Sequence, residues 1–276
     1  MSHTLLVQLS DTHIREPGRL AYGRLDTAPY LRQAVNAIGN LPQKPNAIVM
    51  TGDLTDFGRA AEYEHLRTLL TPLAIPIYLL PGNHDDRQQM RSSFPDHGYL
   101  GTEGFVQYSV SIGELQLITL DTVVPNESKG SLCEKRLAWL SIELDKNKNR
   151  PVVVAMHHPP FRTLIGHMDD IGLMNGAPEL EALVKQYSNV QRVICGHLHR
   201  SIQVNFGSAI ALTVPSPAHQ VCLDLSPDAK SAWVLEPPGF GIHTLPRDGR
   251  MVSHTAYCGD FDGPYPFHEP SGQLID

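Results

Sequence analysis

Short apolar runs rich in β-branched residues alternate with stretches of helical periodicity along most of the chain. The runs at 4–9, 46–51, 75–80, 151–156 and 191–195 are of strand length and are bounded by turn signals. Between them, residues 28–41, 59–73, 133–148 and 177–188 carry apolar side chains at helical spacing. In the third of these, Leu137, Leu140 and Leu144 share one face opposite charged positions. Such alternation predicts sheets covered by helices, with crossovers between parallel neighbours. The runs at 105–111 and 115–121 meet around Gly113 and predict an antiparallel hairpin. The expected fold class is α/β with mixed sheets.

The pattern changes near residue 215. Pro215, Pro217, Pro237, Pro238, Pro246, Pro264, Pro266 and Pro270 interrupt short alternating segments such as 250–257. A main domain over 1–214 and a C-terminal segment of loops and hairpins over 215–276 are expected, the segment packing on the main domain or on a second subunit. Its Tyr257, Phe261, Tyr265 and Phe267 need cover, which points to a homo-oligomer.

With 276 residues the chain can bury a large core without staples. A net charge of −7 argues against a polyanionic partner, and a nuclease would need a basic track that this balance does not offer. The four cysteines, Cys133, Cys195, Cys222 and Cys258, form no C-x-x-C pair, so neither a zinc knuckle nor a redox centre is indicated. No apolar stretch reaches membrane-spanning length, and the start of the chain is too short in apolar residues for a leader. The expected location is cytoplasmic, with no membrane partner.

What distinguishes the chain is the placement of its histidines, fourteen in all. Five apolar runs end in metal-binding residue types: Asp11-Thr12-His13, Gly52-Asp53, Gly82-Asn83-His84-Asp85, His157-His158 and Gly196-His197-Leu198-His199. In α/β folds, ligands gather beyond the carboxyl ends of strands, so one mouth can collect all five. Asp11 and His13, like His197 and His199, are two apart and in extended backbone project to the same side. The preceding glycines allow a sharp turn or a close approach to an ion. Singly, each fragment is weak, because a Gly-Asp is commonly a turn and a loop histidine is commonly a surface residue. Five in succession point to a metal site.

In this order the motifs resemble those of the calcineurin-like metallophosphoesterases, from Asp11 to His199. The resemblance implies a two-sheet β-sandwich flanked by helices, with the C-terminal segment as a cap or dimerisation element. It also implies two metal ions. One would be held by Asp11, His13, Asp53 and His199, the other by Asp53, Asn83, His157 and His197, with Asp53 bridging. Carboxylate, imidazole and amide ligands suit manganese, iron, zinc or cobalt. Such a pair would supply a bridging hydroxide that attacks phosphorus. By the same resemblance His84 would point at the phosphate, to stabilise the transition state or protonate the departing alkoxide, with Asp85 orienting its ring. His158, followed by Pro159 and Pro160, is expected to support the loop. His219 is placed either at the substrate or in the packing of a sheet.

The segment from Gly52 to Gly58 lacks the Asp-Arg-Gly of the protein phosphatases in this superfamily. The motifs at 82–86, 156–160 and 195–199 instead resemble the branch of glycerophosphodiesterases and class III cyclic-nucleotide phosphodiesterases. Ser128-Lys129-Gly130, Asn175-Gly176 and Ala218-His219-Gln220-Val221 favour the former. A small phosphodiester is the expected substrate and a 3',5'-cyclic nucleotide the alternative. A non-catalytic scaffold is a third reading, against which the full ligand set argues.

Overall fold

The computed structural model describes residues 3–276. Strands and helices alternate through the first half: β1 (Thr4–Leu9), α1 (Ala28–Gly39), β2 (Ala47–Thr51), α2 (Ala60–Leu70), β3 (Ile77–Leu80) and α3 (Arg87–Ser93). The hairpin β4 (Ser109–Ile112) and β5 (Leu115–Thr119) follows, then β6 (Gly130–Ser131), α4 (Glu134–Lys146), β7 (Val152–Ala155) and a single-turn α5 (Gly166–Asp169). Next come β8 (Leu173–Asn175), α6 (Ala177–Gln186), β9 (Val190–Cys195), β10 (Ile202–Phe206) and β11 (Ala209–Thr213). The chain ends with β12 (Gln220–Val221), β13 (Trp233–Val234), β14 (Gly239–Leu245) and β15 (Val252–Tyr257).

Two large sheets form the body, in the orders β15-β14-β1-β2-β3 and β10-β11-β9-β7-β5-β4. Both have the same plan. Strands β1, β2 and β3 run parallel, as do β5, β7, β9 and β11, while β14 and β15 flank the first set and β4 and β10 the second as antiparallel neighbours. The apolar runs are continuous because each central strand is covered on both faces. In β1, Leu5, Val7 and Leu9 face the layer of α1 and α2, whereas Leu6 packs into the interface between the sheets. In β7, Val152 and Val154 join Leu140, Leu144, Leu180 and Val184 of α4 and α6, and Val153 and Ala155 turn inward. The expected two-sheet sandwich flanked by helices is therefore the observed fold.

Three features differ from the expectation. Residues 239–257 are not an appendage to the main domain, because β14 pairs with β1 along Thr4↔Leu245 to Gln8↔Gly241 and so completes the first sheet. The hairpin of β10 and β11 extends the second sheet although Gln203, Val204 and Asn205 are exposed and give it no buried face to read. Helix α3 buries only Met90 and owes its start to the Asp86 side chain, which accepts from the Gln89 N–H at 2.7 Å.

Candidate metal centre

All five motifs lie just past the carboxyl ends of parallel strands, after β1, β2, β3, β7 and β9. They do so in a compressed backbone. Asp11, His13, Asp53, His197 and His199 have φ of 56°, 43°, 48°, 72° and 52°, all left-handed. The extended geometry expected for Asp11/His13 and His197/His199 is therefore not what brings these side chains together. A tight left-handed turn at each of these five residues does, and it persists only because neighbouring bonds over-determine it. Asp11 N–H donates to Gly52 O at 3.0 Å, His13 N–H to Asp53 O at 3.0 Å, and His197 N–H to the Asp11 carboxylate at 2.9 Å. Gly82 and Gly196 are required for space: a Cβ on Gly82 would fall on the Asp53 side chain, and one on Gly196 on Ser10 and Thr51.

The imidazoles are aimed by bonds from their far nitrogens. Nδ1–H of His157 donates to Thr51 O at 2.8 Å, Nδ1–H of His199 to His219 O at 3.0 Å, and Nδ1–H of His13 to Asp56 Oδ1 at 3.2 Å. With these protons committed, each Nε2 presents a lone pair inward. His13 Nε2 and His199 Nε2 then face each other at 3.3 Å, and His157 Nε2 faces Asn83 Oδ1 at 3.1 Å. Acceptor against acceptor is unfavourable unless a cation or a proton lies between. Asp53 Oδ2 lies 3.6 Å from His13 Nε2 and 3.4 Å from His157 Nε2, while Oδ1 is occupied by the His84 N–H at 2.9 Å. One carboxylate oxygen thus borders both groups. His199 Nε2 is 3.5 Å from Asp11 Oδ1, and His197 Nδ1 is 3.2 Å from His157 Nε2. His197 Nε2 is buried without any hydrogen-bond partner. The donor set therefore fits metal ions, and Asp11, Asp53 and His157 are among the groups able to chelate one.

The electrostatics agree. Burial opposes charge on Asp53, but His157, with His84 and His13, outweighs it and holds the carboxyl well below its usual range. Burial likewise opposes a cation at His157, yet Asp53 raises this imidazole to about 9. His13 is raised too, since Asp56, Asp53 and Asp11 overcome its burial. Where no metal shares the site, protons settle beside Asp53, at the places a cation would take. His199 is pushed down to about 4 by burial, which leaves a neutral ligand.

The remaining predicted residues divide into walls and supports. His84 is the imidazole of this cluster that solvent reaches, with 35% of its side chain exposed. Asp85 does not orient it: that carboxylate accepts from Leu54 N–H, Thr55 N–H, Gly82 N–H and the Tyr63 hydroxyl, and so ties two ligand loops together. His84 Nδ1 is held instead by Asp56 O at 2.8 Å. His158 has both nitrogens engaged, with Thr122 Oγ1 at 2.7 Å and Ser128 O at 3.1 Å, and burial holds it neutral at about 3. It braces the loop. His219 lines the mouth, where its Nε2 shares a hydrogen bond of 3.1 Å with the Tyr22 hydroxyl.

Sequence reasoning missed Asp56, Tyr22 and Trp233. Asp56 serves His13 through its side chain, His84 through its carbonyl, and Arg15 at 3.3 Å. Tyr22 and Trp233 stack 5.8 Å apart as one wall of the 290 Å3 mouth, together with Met168, Ile171 and Val221. None of the three had a distinguishing signal, although Asp56 lies only three residues beyond Asp53.

No helix among the described residues is long and apolar enough to cross a membrane. Residues 4–201 match the family described as calcineurin-like phosphoesterase. The chain is 37% identical over 272 residues to a protein of Arcobacter nitrofigilis named probable glycerophosphodiester phosphodiesterase GpdQ, covering 99% of this chain and 100% of the relative. It is 31% identical over 261 residues to the 3',5'-cyclic adenosine monophosphate phosphodiesterase CpdA of Pseudomonas aeruginosa, covering 93% and 90%. Among solved structures, a purple acid phosphatase from yellow lupin seeds superposes with a TM-score of 0.66 at 13% identity, over 100% of this chain and 53% of that one. A dimetal phosphatase from Danio rerio gives 0.62 at 17% identity, over 93% and 99%. These two likenesses concern the fold. Five ligand loops at the mouth of a two-sheet sandwich and near full-length phosphodiesterase relatives lead to one conclusion: the chain belongs to the calcineurin-like phosphoesterase family and is a hydrolase acting on phosphodiesters.

Proposed function

We propose that this enzyme hydrolyses small glycerophosphodiester-like substrates with two metal ions. Asp11, His13, Asp53 and His199 would hold one and Asp53, Asn83, His157 and His197 the other, with Asp53 shared. Manganese, iron, zinc and cobalt all suit such donors. When bound, the pair would supply an activated hydroxide and neutralise charge on the phosphate. The chain's own part is to hold three imidazoles by their far nitrogens and to keep Asp53 charged. The observation that carries the reading is Asp53 Oδ2, which lies within 3.6 Å of ring nitrogens from both groups.

His84 is proposed as the group that meets the phosphate and the departing oxygen. His84 lines the mouth with 35% of its side chain exposed, and the Asp56 carbonyl fixes its Nδ1 at 2.8 Å. The nearly full-length relative named GpdQ supports the glycerophosphodiester class. A second reading, a cyclic-nucleotide phosphodiesterase, is supported by the relative named CpdA and by the Tyr22–Trp233 wall, on which a base can stack. Measuring kcat/KM for glycerophosphocholine and for 3',5'-cyclic AMP separates them. A higher value for the cyclic ester would overturn the first reading.

A homo-oligomer is proposed with this function. Phe261, Tyr265 and Phe267 are 67%, 69% and 82% exposed, and a second copy is their proposed cover. The cytoplasm is the proposed compartment, a reducing setting that suits four free thiols.

A further inference from the structure

The ligand cluster opens on two cavities. The first is the 290 Å3 mouth with the Tyr22–Trp233 wall, and the second has 370 Å3. They have Asn83 and His84 in common and no other lining residue. The second is bordered by Phe57, by Asp86, Gln88 and Arg91 around the start of α3, and by Pro125 and Asn126 of the loop after β5.

This second cavity is a built feature. Arg87 donates to both oxygens of the fully buried Asp121, at 2.6 and 2.7 Å, and to Val123 O at 2.8 Å, locking α3 to the loop opposite. Asp121 also accepts from Val106 N–H and Val123 N–H, and its carbonyl receives Arg136 Nη1–H at 2.8 Å. At the rim, Phe57 is held by the guanidinium groups of Arg15 and Arg59, 4.5 and 4.9 Å from its ring centre. The two chambers differ in chemistry. Beyond the metal-binding groups, the first sets Tyr22, Trp233, Met168, Ile171 and Val221 beside a few hydroxyls and imidazoles, and has neither lysine nor arginine in its lining. The second adds the amides of Gln88 and Asn126, the carboxylates of Asp85 and Asp86 and the guanidinium groups of Arg87 and Arg91 to a smaller apolar part.

We propose that the second cavity is the subsite for the second substituent of an acyclic diester, a hydroxylated, polyol-like group, while the first takes the less polar substituent. The inference rests on the phosphodiesterase reading. A phosphodiester carries two groups on one phosphorus, and a phosphate beside Asn83 and His84 would lie at the junction of the chambers. One substituent then enters each. A 3',5'-cyclic diester has both ester oxygens on a single sugar and fills one chamber at most.

The test is a filled cavity. Gln88 is exposed on the first turn of α3, so Gln88→Trp occupies the second chamber without entering the core. The probes are bis(p-nitrophenyl) phosphate, with two bulky groups, and methyl p-nitrophenyl phosphate, with one, both assayed with manganese at saturation. The ratio of kcat/KM for the first over the second is expected to fall about tenfold or more in the variant, mainly through KM. Cyclic AMP should follow the methyl ester. Pro125→Trp, on the facing wall, should repeat the result, and thermal melts of both variants establish that they fold. Equal losses with both probes, or no loss, overturn the subsite. A wild-type enzyme that cleaves neither diester overturns the phosphodiesterase reading instead.

Discussion

The ligand loops and the C-terminal segment meet at one mouth, yet they are held in opposite ways. Asp11, Asp53, His157 and His197 are at most 4% exposed, and their loops are cross-bonded to one another. The C-terminal segment lends the mouth His219, Val221 and Trp233 through two-residue strands, and from residue 261 onward every residue is exposed. Strain is tolerated in the first region because packing and hydrogen bonds over-determine it. The second region contributes walls, and it reaches the ligand loops through few bonds, such as the His219 carbonyl that accepts from His199. On the proposed function, chemistry and selectivity would be carried by parts of different rigidity.

Breaking the first region should cost far more than breaking the second. The largest effect is expected from His84→Ala, which should lower kcat by about 10² to 10⁴ while elemental analysis finds the metals retained. Loss of metal in that variant would make His84 a structural residue. Asp56→Asn comes next, because it weakens the hold on His13 Nδ1. Metal affinity measured by competition with a chelator should drop about 10- to 100-fold, with much of kcat restored at saturating metal.

A smaller effect is expected at His243, which supports Gln8, the residue that links the two sheets behind the site. Its Nε2 meets Gln8 Oε1 at 3.0 Å and its Nδ1 meets Ser253 Oγ at 2.9 Å, and Gln8 in turn donates to Cys195 O and Thr51 Oγ1. Burial, with Arg192 nearby, pushes this imidazole down to about 3, against 6.5 for a free one. As pH falls, the unfolded chain takes up the proton first. His243 thus contributes fully above about pH 6.5, and its contribution declines towards pH 3 by about 1.4 kcal/mol per pH unit at most. Urea midpoints of the wild type and His243→Gln should converge between pH 7 and pH 4.5. A constant gap would contradict the neutral, buried state. The smallest effect is expected from removing residues 261–276, which should shift monomer stability by no more than about 0.5 kcal/mol while lowering the mass measured by light scattering.

The same contrast governs what could be read from the chain. Strands β1, β2, β3, β7 and β9 were legible because burial on both faces makes them continuous apolar runs, and the histidines and carboxylates gathered at the mouth were legible because each cluster follows such a run directly. Asp56 was not, since an aspartate in a polar loop has the same local appearance whether or not it braces a distant imidazole. Asp85 was misread for the converse reason: adjacency to His84 in sequence says nothing of direction, and its carboxylate turns to Leu54, Thr55 and Tyr63. Tyr22 and Trp233 are 211 positions apart, and only the closed fold stacks them. The left-handed turns at the ligands were also hidden, because Asp and His carry no glycine-like mark of positive φ.

The central claim is that one carboxylate serves two cations. Metal content of the purified protein, reconstituted with manganese, cobalt, iron or zinc, tests it most directly when wild type and Asp53→Asn are measured side by side. Two ions per wild-type chain are expected, with fewer bound and turnover lost in the variant. A wild-type chain that binds only one ion, or an Asp53→Asn enzyme that keeps both ions and its activity, would contradict the account.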